Sequence, residues 1–264
     1  MTSLHTEIDG PATAPPLLLI HGSTSSSRSW DSLVPLLQGS HRTIRMDLLG
    51  FGQSDKPDGD VYQVTAQADR IAETLSKFSI AEAVVVGHSS GGLVATALAE
   101  RHPEMVTALA LINTGPNPDA FIAGGGDSSL ISPDAWPPSD EQLRDLARPA
   151  FSRSGFDIPQ VLLDDVRRMT FHSLSASMKA SNEYLRARSI PDRLTDVNAP
   201  LFVIFGQEDR RWSSSSAEDY RRIAGAALTM LPGIGHSPNL EAPESTAELL
   251  SDFTNRTSQA QLRE

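Results

Sequence analysis

The stretch that most restricts the fold is Val84 to Gly92, which reads Val-Val-Val-Gly-His-Ser-Ser-Gly-Gly. Consecutive β-branched residues suit a strand buried on both faces. They run into Gly87-His88-Ser89-Ser90-Gly91, a Gly-x-Ser-x-Gly pattern. That pattern asks a buried strand to turn into a helix within a few residues, with Ser89 at the apex of a strained bend. The residues two before and two after the apex must be small, and Gly87 and Gly91 are. Gly92, Leu93, Val94, Ala95, Ala97, Leu98 and Ala99 then supply a small, apolar helix that can lie close against a sheet. The N-terminus of that helix points at the serine, so the N–H of Ser90 is available to an oxyanion. Glycine and serine are common residues, so the rest of the chain decides how much the pattern means.

The preceding and following segments alternate strand-like with helix-like character. Leu4, Thr6 and Ile8 alternate weakly and predict an edge strand, with a turn over Gly10 to Pro16. Leu17 to Ile20 is a buried strand ending at His21-Gly22-Ser23, and Trp30, Leu33, Val34 and Leu37 predict a helix. Arg42 to Leu48 is the next strand, leading into Gly50-Phe51-Gly52-Gln53-Ser54. Val64, Ala68, Ile71, Leu75 and Phe78 mark an amphipathic helix, and Ala108 to Ile112 another strand. Residues Asn117 to Asn198 then lack strand-like runs. Ser139 and Gln142 form a capping box ahead of one helix, Pro159 opens a second through Leu162 and Val166, and Leu174, Met178 and Leu185 mark a third. Alternation resumes with a strand at Leu201 to Phe205, a helix at Ala217 to Ile223, a strand at Ala227 to Leu231 and a helix from Pro243. The polar tail from Thr254 is expected to fray.

This order predicts an α/β fold: a mostly parallel twisted sheet of about seven or eight strands with helices on both faces. The expected core comprises residues 1–116 and 199–256, with a helical insertion over 117–198 and a polar tail over 257–264. In such sheets ligands bind at the carboxyl ends of strands, and His21-Gly22-Ser23, Ser89, Asp209 and His236 each fall at one.

Composition narrows the partners. The net charge is −11, which disfavours nucleic acid and anionic membranes. With no cysteine, thiolate catalysis, disulfides and zinc–thiolate sites are excluded. The longest apolar run, Leu17 to Ile20, is far short of a membrane span, and Met1 to Gly10 lacks a signal-peptide pattern. The expectation is a cytoplasmic protein, monomer or homodimer, acting on a small molecule without metal or cofactor.

Serine is a poor nucleophile near neutral pH unless a base takes its proton and a carboxylate orients that base. Ser89, Asp209 and His236 occur in a chain order known for such groups. Glu208 is the neighbouring rival to Asp209, while the earlier strand ends in Asn113, which cannot ionise. His21 reads better as a brace for its turn than as a proton carrier, and His88 as a packing and hydrogen-bonding residue beside the elbow. Arg210 and Arg211 could bind a substrate carboxylate, although charges in such loops are more often solvated or ion-paired.

The segments His21-Gly22, Asp47 to Ser54, Gly87 to Gly92, Gly206-Gln207-Glu208-Asp209-Arg210 and Gly235-His236-Ser237 together resemble the α/β-hydrolase superfamily. The likeness spans Leu17 to Phe253 and is greatest to the lid-bearing branch of small esterases, lactonases and carbon–carbon bond hydrolases. It implies Ser89 as nucleophile, His236 as general base, Asp209 as its orienting acid, the N–H groups of Ser23 and Ser90 as the oxyanion hole, and the insertion as a cap placed after the sixth family strand. Haloalkane dehalogenases and epoxide hydrolases carry aspartate at the elbow, so serine favours acyl chemistry. Family members usually have a full N-terminal hairpin, for which the short segment before Leu17 leaves little room.

The expected activity is hydrolysis of a small, fairly apolar ester or lactone through an acyl-enzyme. Phe121, Trp136, Met169, Phe171 and Met178 are the expected pocket lining, and Gly124 to Gly126 the expected mobile segment of the lid. The competing readings are carbon–carbon or thioester hydrolysis on the same triad, cofactor-free oxygen or haloperoxidase-type chemistry, and a small-molecule receptor on the same fold.

Overall fold

A computed structural model of the chain describes residues 3–122, 132–152 and 156–261. Seven strands form one sheet: β1 (Thr6–Asp9), β2 (Pro16–Ile20), β3 (Arg42–Met46), β4 (Ala83–His88), β5 (Val106–Ile112), β6 (Leu201–Gly206) and β7 (Ala227–Leu231). Their spatial order is β1-β3-β2-β4-β5-β6-β7. Only β1 is antiparallel, paired with β3 from Thr6 opposite Met46 to Asp9 opposite Thr43. The other five pairings are parallel. The sheet thus has the smaller of the two strand counts expected.

The continuous apolar runs in β2, β4, β5 and β6 exist because helices cover both faces. Leu17, Leu19, Val84 and Val86 pack with Trp30, Leu33, helix α1 (Val34–Leu37) and the C-terminal helix. Leu18, Ile20 and Val85 face the other way, onto α2 (Val64–Lys77) and α3 (Ser90–Arg101). β3 lies on one side of β2 and β4 on the other, so the loops after β2 and β4 diverge. Such a divergence opens a crevice at the carboxyl ends of the strands. Ile20 is paired with Gly87 across that junction, which brings the turn at Gly22 against Ser89.

Between β5 and β6 come α4 (Asp140–Ala147), α5 (Gln160–Arg168), α6 (Phe171–Ala187) and α7 (Ile190–Leu194). The Ser139–Gln142 capping box forms at α4, and Pro159 precedes α5. A second box joins Thr170 and Ser173 at the start of α6; with serine in place of the usual Glu or Gln, its sequence signal is weak. Leu143, Ala150, Phe151, Ile158, Leu163 and Val166 make a small core of their own. Met169, Leu174, Tyr184, Leu185, Ile190 and Leu194 instead join the cluster beneath α2 and α3. The α4–α5 part therefore sits on its own small core, and the α6–α7 part shares the main one.

Several boundaries differ from expectation. The strand predicted to Leu48 stops at Met46, because the Leu48 N–H is taken by His21 Nε2 at 3.0 Å. The helix predicted over Trp30 to Leu37 is split into a 3₁₀ turn at Ser27–Trp30 and α1, with Pro35 withholding an N–H. The helix predicted at Ala217 to Ile223 is 3₁₀ over Ser214–Arg222, where serine hydroxyls bond nearby backbone, as Ser216 Oγ does to Ser213 O at 2.6 Å. After β7, α8 (Pro238–Glu241) was not expected, and α9 (Pro243–Gln261) runs on through the tail expected to fray. Thr254 and Thr257 are buried there, and Thr254 Oγ1 lies 2.8 Å from His41 Nε2. Gly124 to Gly126 lie outside the described residues. Among the described residues no helix is long and apolar enough to cross a membrane.

Candidate active site

Ser89 stands between β4 and α3 with φ +52° and ψ −123°, a conformation rare for a residue with a side chain. The glycines around it are required by close approach. A Cβ on Gly87 would come within 2.6 Å of Gly92 Cα, and one on Gly91 would collide with the carbonyls of Ile20 and His21. The bend is held by Ser89 N–H donating to Ile112 O at 2.9 Å and by Thr114 Oγ1 donating to Ser89 O at 3.1 Å.

Three loops meet over this apex. His236 Nε2 lies 2.9 Å from Ser89 Oγ, and His236 Nδ1 lies 2.8 Å from Asp209 Oδ2. Burial opposes the charge on Asp209, but the charge of His236, hydrogen bonds from His236 and Asn113 and the Arg211 N–H outweigh it. The carboxyl is therefore held below its ordinary range and can only accept. His236 Nδ1 must carry the proton, which leaves Nε2 free to accept from the Ser89 hydroxyl. The other Asp209 oxygen accepts from Arg211 N–H at 2.7 Å and Trp212 N–H at 3.2 Å. Glu208, the neighbouring rival, is exposed.

Residues that the sequence leaves in the background hold these groups in place. Asn113 is fully buried at φ +45°; its Nδ2 donates to Asp209 Oδ2 at 2.8 Å and Gly235 O at 3.2 Å, and its Oδ1 accepts from Gly206 N–H at 3.2 Å. It has no ionisable group to serve as the acid, but its amide clamps the ends of β5 and β6 together. His88 Nε2 donates to His236 O at 2.8 Å. Glu241, on α8, accepts from Gly235 N–H at 3.0 Å and from Ser152 N–H at 2.8 Å. His21 braces its turn as expected: Nδ1 donates to Gly22 O at 2.8 Å and Nε2 accepts from Leu48 N–H. Burial depresses its pKa despite the charge of Asp47.

Ser89 and His236 open into a cavity of about 150 Å³. Ser23 lines it too, and Ser23 Oγ donates to Ser90 Oγ at 2.8 Å. Ser90 is the first residue of α3, where backbone N–H groups have no intrahelical acceptor. Gly22 lies so close to the apex that a Cβ there would be 3.1 Å from Ser89 Cβ. The remaining wall is mostly aliphatic and comes largely from α4 and α5, through Leu143, Leu146, Leu162, Leu163 and Val166, with Leu174 and Met178 added from α6.

Of the five expected lining residues, only Met178 borders the cavity. Trp136 turns away, its Nε1 donating to Met169 O at 3.0 Å and its ring meeting Phe171 edge-on at 6.2 Å. Met169 is buried in the main core. Phe121 is 48% exposed and packs edge-on against Trp212 at 5.4 Å. Helical periodicity marks an apolar stripe on each insertion helix, but it does not say which stripe covers the serine.

The fold and this junction of three loops define a hydrolase of the α/β class. The chain matches the alpha/beta hydrolase family over residues 17–249 and belongs to it. It is 30% identical over 264 residues to a protein of Variovorax paradoxus (strain S110) provisionally named carbamate hydrolase RutD, covering 97% of each chain. It is 30% identical over 254 residues to 2-hydroxymuconate semialdehyde hydrolase of Pseudomonas sp. (strain CF600), covering 90% of this chain and 86% of that one. Among solved structures it resembles the enol-lactonase from Burkholderia xenovorans LB400, with a TM-score of 0.78 at 25% identity over 96% of this chain and 97% of the other.

Proposed function

We propose that this protein is a serine hydrolase that cleaves a small, fairly apolar ester or lactone through an acyl-enzyme. The observation that carries the reading is the hydrogen-bonded series Ser89, His236, Asp209 at the mouth of an aliphatic cavity. In this reading Ser89 Oγ attacks the acyl carbon while His236 Nε2 takes its proton. Asp209 holds the imidazole's orientation and stabilises the imidazolium. The N–H groups of Ser23 and Ser90 receive the negative charge on the carbonyl oxygen; losing one such donor typically costs about 10²–10³ in rate. The tetrahedral intermediate collapses as His236 returns its proton to the leaving alcohol. Water, deprotonated by the same imidazole, then releases the acid and restores Ser89.

The α4–α5 segment supplies the lid in this reading. A cavity of about 150 Å³ matches the order of size that admits one small ring. A second reading, hydrolysis of a carbon–carbon or carbamate bond by the same groups, draws support from the names of two relatives.

The test is a rapid-mixing assay with p-nitrophenyl acetate and butyrate on wild type, Ser89→Ala and His236→Ala. The expected result is a burst of p-nitrophenol in wild type, then slower turnover, with both lost in the two variants. Turnover that persists in Ser89→Ala rejects the serine mechanism.

A further inference from the structure

We propose that Arg211 makes this cavity selective for substrates carrying a free carboxylate in addition to the bond that is cleaved. The cavity is lined by Arg211 together with Ser89 and His236. Among the described residues, no other side chain of fixed charge lines it, and none of its lining residues is acidic. The Arg211 backbone is fixed by the bond from its N–H to Asp209 Oδ1. Among the described residues its side chain makes one hydrogen bond, from Nη2 to Leu146 O on α4 at 3.1 Å, and its buried Nε has no partner.

This differs from the other enclosed arginines. Arg45 pairs with Glu7, Asp9 and Asp31, and Arg193 with Glu100. Among the described residues no carboxylate lies within 4.0 Å of the Arg211 guanidinium. The carboxylate nearest in sequence, Asp209, already uses both oxygens on His236, Asn113 and two backbone N–H groups. Burial lowers the Arg211 pKa, opposed only by the charge of Asp209, so its desolvation is incompletely offset. Removing a guanidinium from water is costly unless an anion or enough acceptors meet it. A planar fork with unused N–H groups matches a carboxylate. A phosphate would bring more charge than one cation and an aliphatic wall can match. The protein's net charge of −11 repels anions in general, which makes a local cation in the pocket the more significant. The substrate class is then a half-ester, or a lactone bearing a carboxylate.

For the bond cleaved, the proposal rests on the ester-hydrolase reading; recognition of the carboxylate is read by binding alone. The probes are monomethyl succinate, glutarate and adipate, each paired with the isosteric primary amide. Affinities are measured by calorimetry on Ser89→Ala protein, with and without Arg211→Met, Arg211→Gln or Arg211→Lys. At one chain length the acid should bind about ten-fold or more tightly than its amide. Arg211→Met and Arg211→Gln should erase that difference and leave amide affinity unchanged, and Arg211→Lys should restore part of it. No preference at any chain length overturns the proposal, as does a preference that survives both neutral variants. An equal loss for acid and amide, with a lower unfolding temperature, assigns Arg211 to holding α4 and also overturns it. A carboxylate preference without a Ser89-dependent burst leaves this inference standing and removes the ester mechanism; the reverse result removes only this inference.

Discussion

At the scale of single residues, the site depends as much on neutral buried groups as on the three that would react. His88 shows why. Burial, with the charge of His236 adding to it, pulls its imidazole pKa down to about 3. It therefore stays neutral and keeps donating to the His236 carbonyl. In the unfolded chain His88 binds a proton below about pH 6.5, whereas in the folded chain it does not until about pH 3. Its contribution to stability is thus intact above about 6.5 and is lost as pH falls toward 3, to the order of 5 kcal/mol across that window. Urea denaturation should show the stability difference between wild type and His88→Gln shifting by a substantial part of this amount from about pH 7 to about pH 4. Parallel losses in the two proteins would exclude His88 as the responsible group.

At the scale of elements, α4 and α5 are tied to the core by a few buried polar contacts as well as by packing. The Asp165 side chain, on α5, is almost wholly buried; it accepts from Ser26 Oγ at 2.5 Å and lies 3.3 Å from Arg168 and 3.9 Å from Arg28. Ser26 is near Ser23 in the same turn, so this contact links the cavity's roof to its floor. Glu241 makes the matching tie on the other side, through Ser152 and Gly235. Hydrogen bonds to a charged group contribute about 1.5–3 kcal/mol each. Asp165→Ala should therefore speed limited proteolysis within 132–168 by about ten-fold or more while moving the global unfolding temperature little. Unchanged cleavage would show that packing alone holds the two helices.

At the scale of the molecule, two kinds of core carry separate tasks. Leu18 is fully buried in the sheet's main cluster, and truncation to alanine should cost about 2–5 kcal/mol in chemical denaturation. Leu163 belongs to the small cluster under α4 and α5 and also lines the cavity. Leu163→Ala should raise KM for p-nitrophenyl butyrate more than it lowers the global midpoint. The opposite ranking would mean that the insertion folds as one unit with the sheet.

The sheet and the elbow were legible in the chain because they rest on local rules. Val84 to Val86 can only be a doubly covered strand before Gly-x-Ser-x-Gly, and the close approach at Gly87 and Gly91 excludes larger residues. Ser89, Asp209 and His236 follow from their shared position at strand ends, and the structure brings them into one hydrogen-bonded series. What surrounds them was not legible. The amide of Asn113 and the carboxylate of Glu241 gain their roles from residues 96 and 89 positions away, and the hydrogen bond expected of His88 finds its acceptor 148 positions away. Much of the cavity wall comes from α4 and α5, and of the expected lining residues only Met178 takes part, because an amphipathic helix specifies which face is buried but not what it is buried against. Local chemistry wrote the strands, the turn and the positions of Ser89, Asp209 and His236 at strand ends into the sequence. Only the packing of distant elements decided which side chains enclose the serine, and placed Arg211 among them.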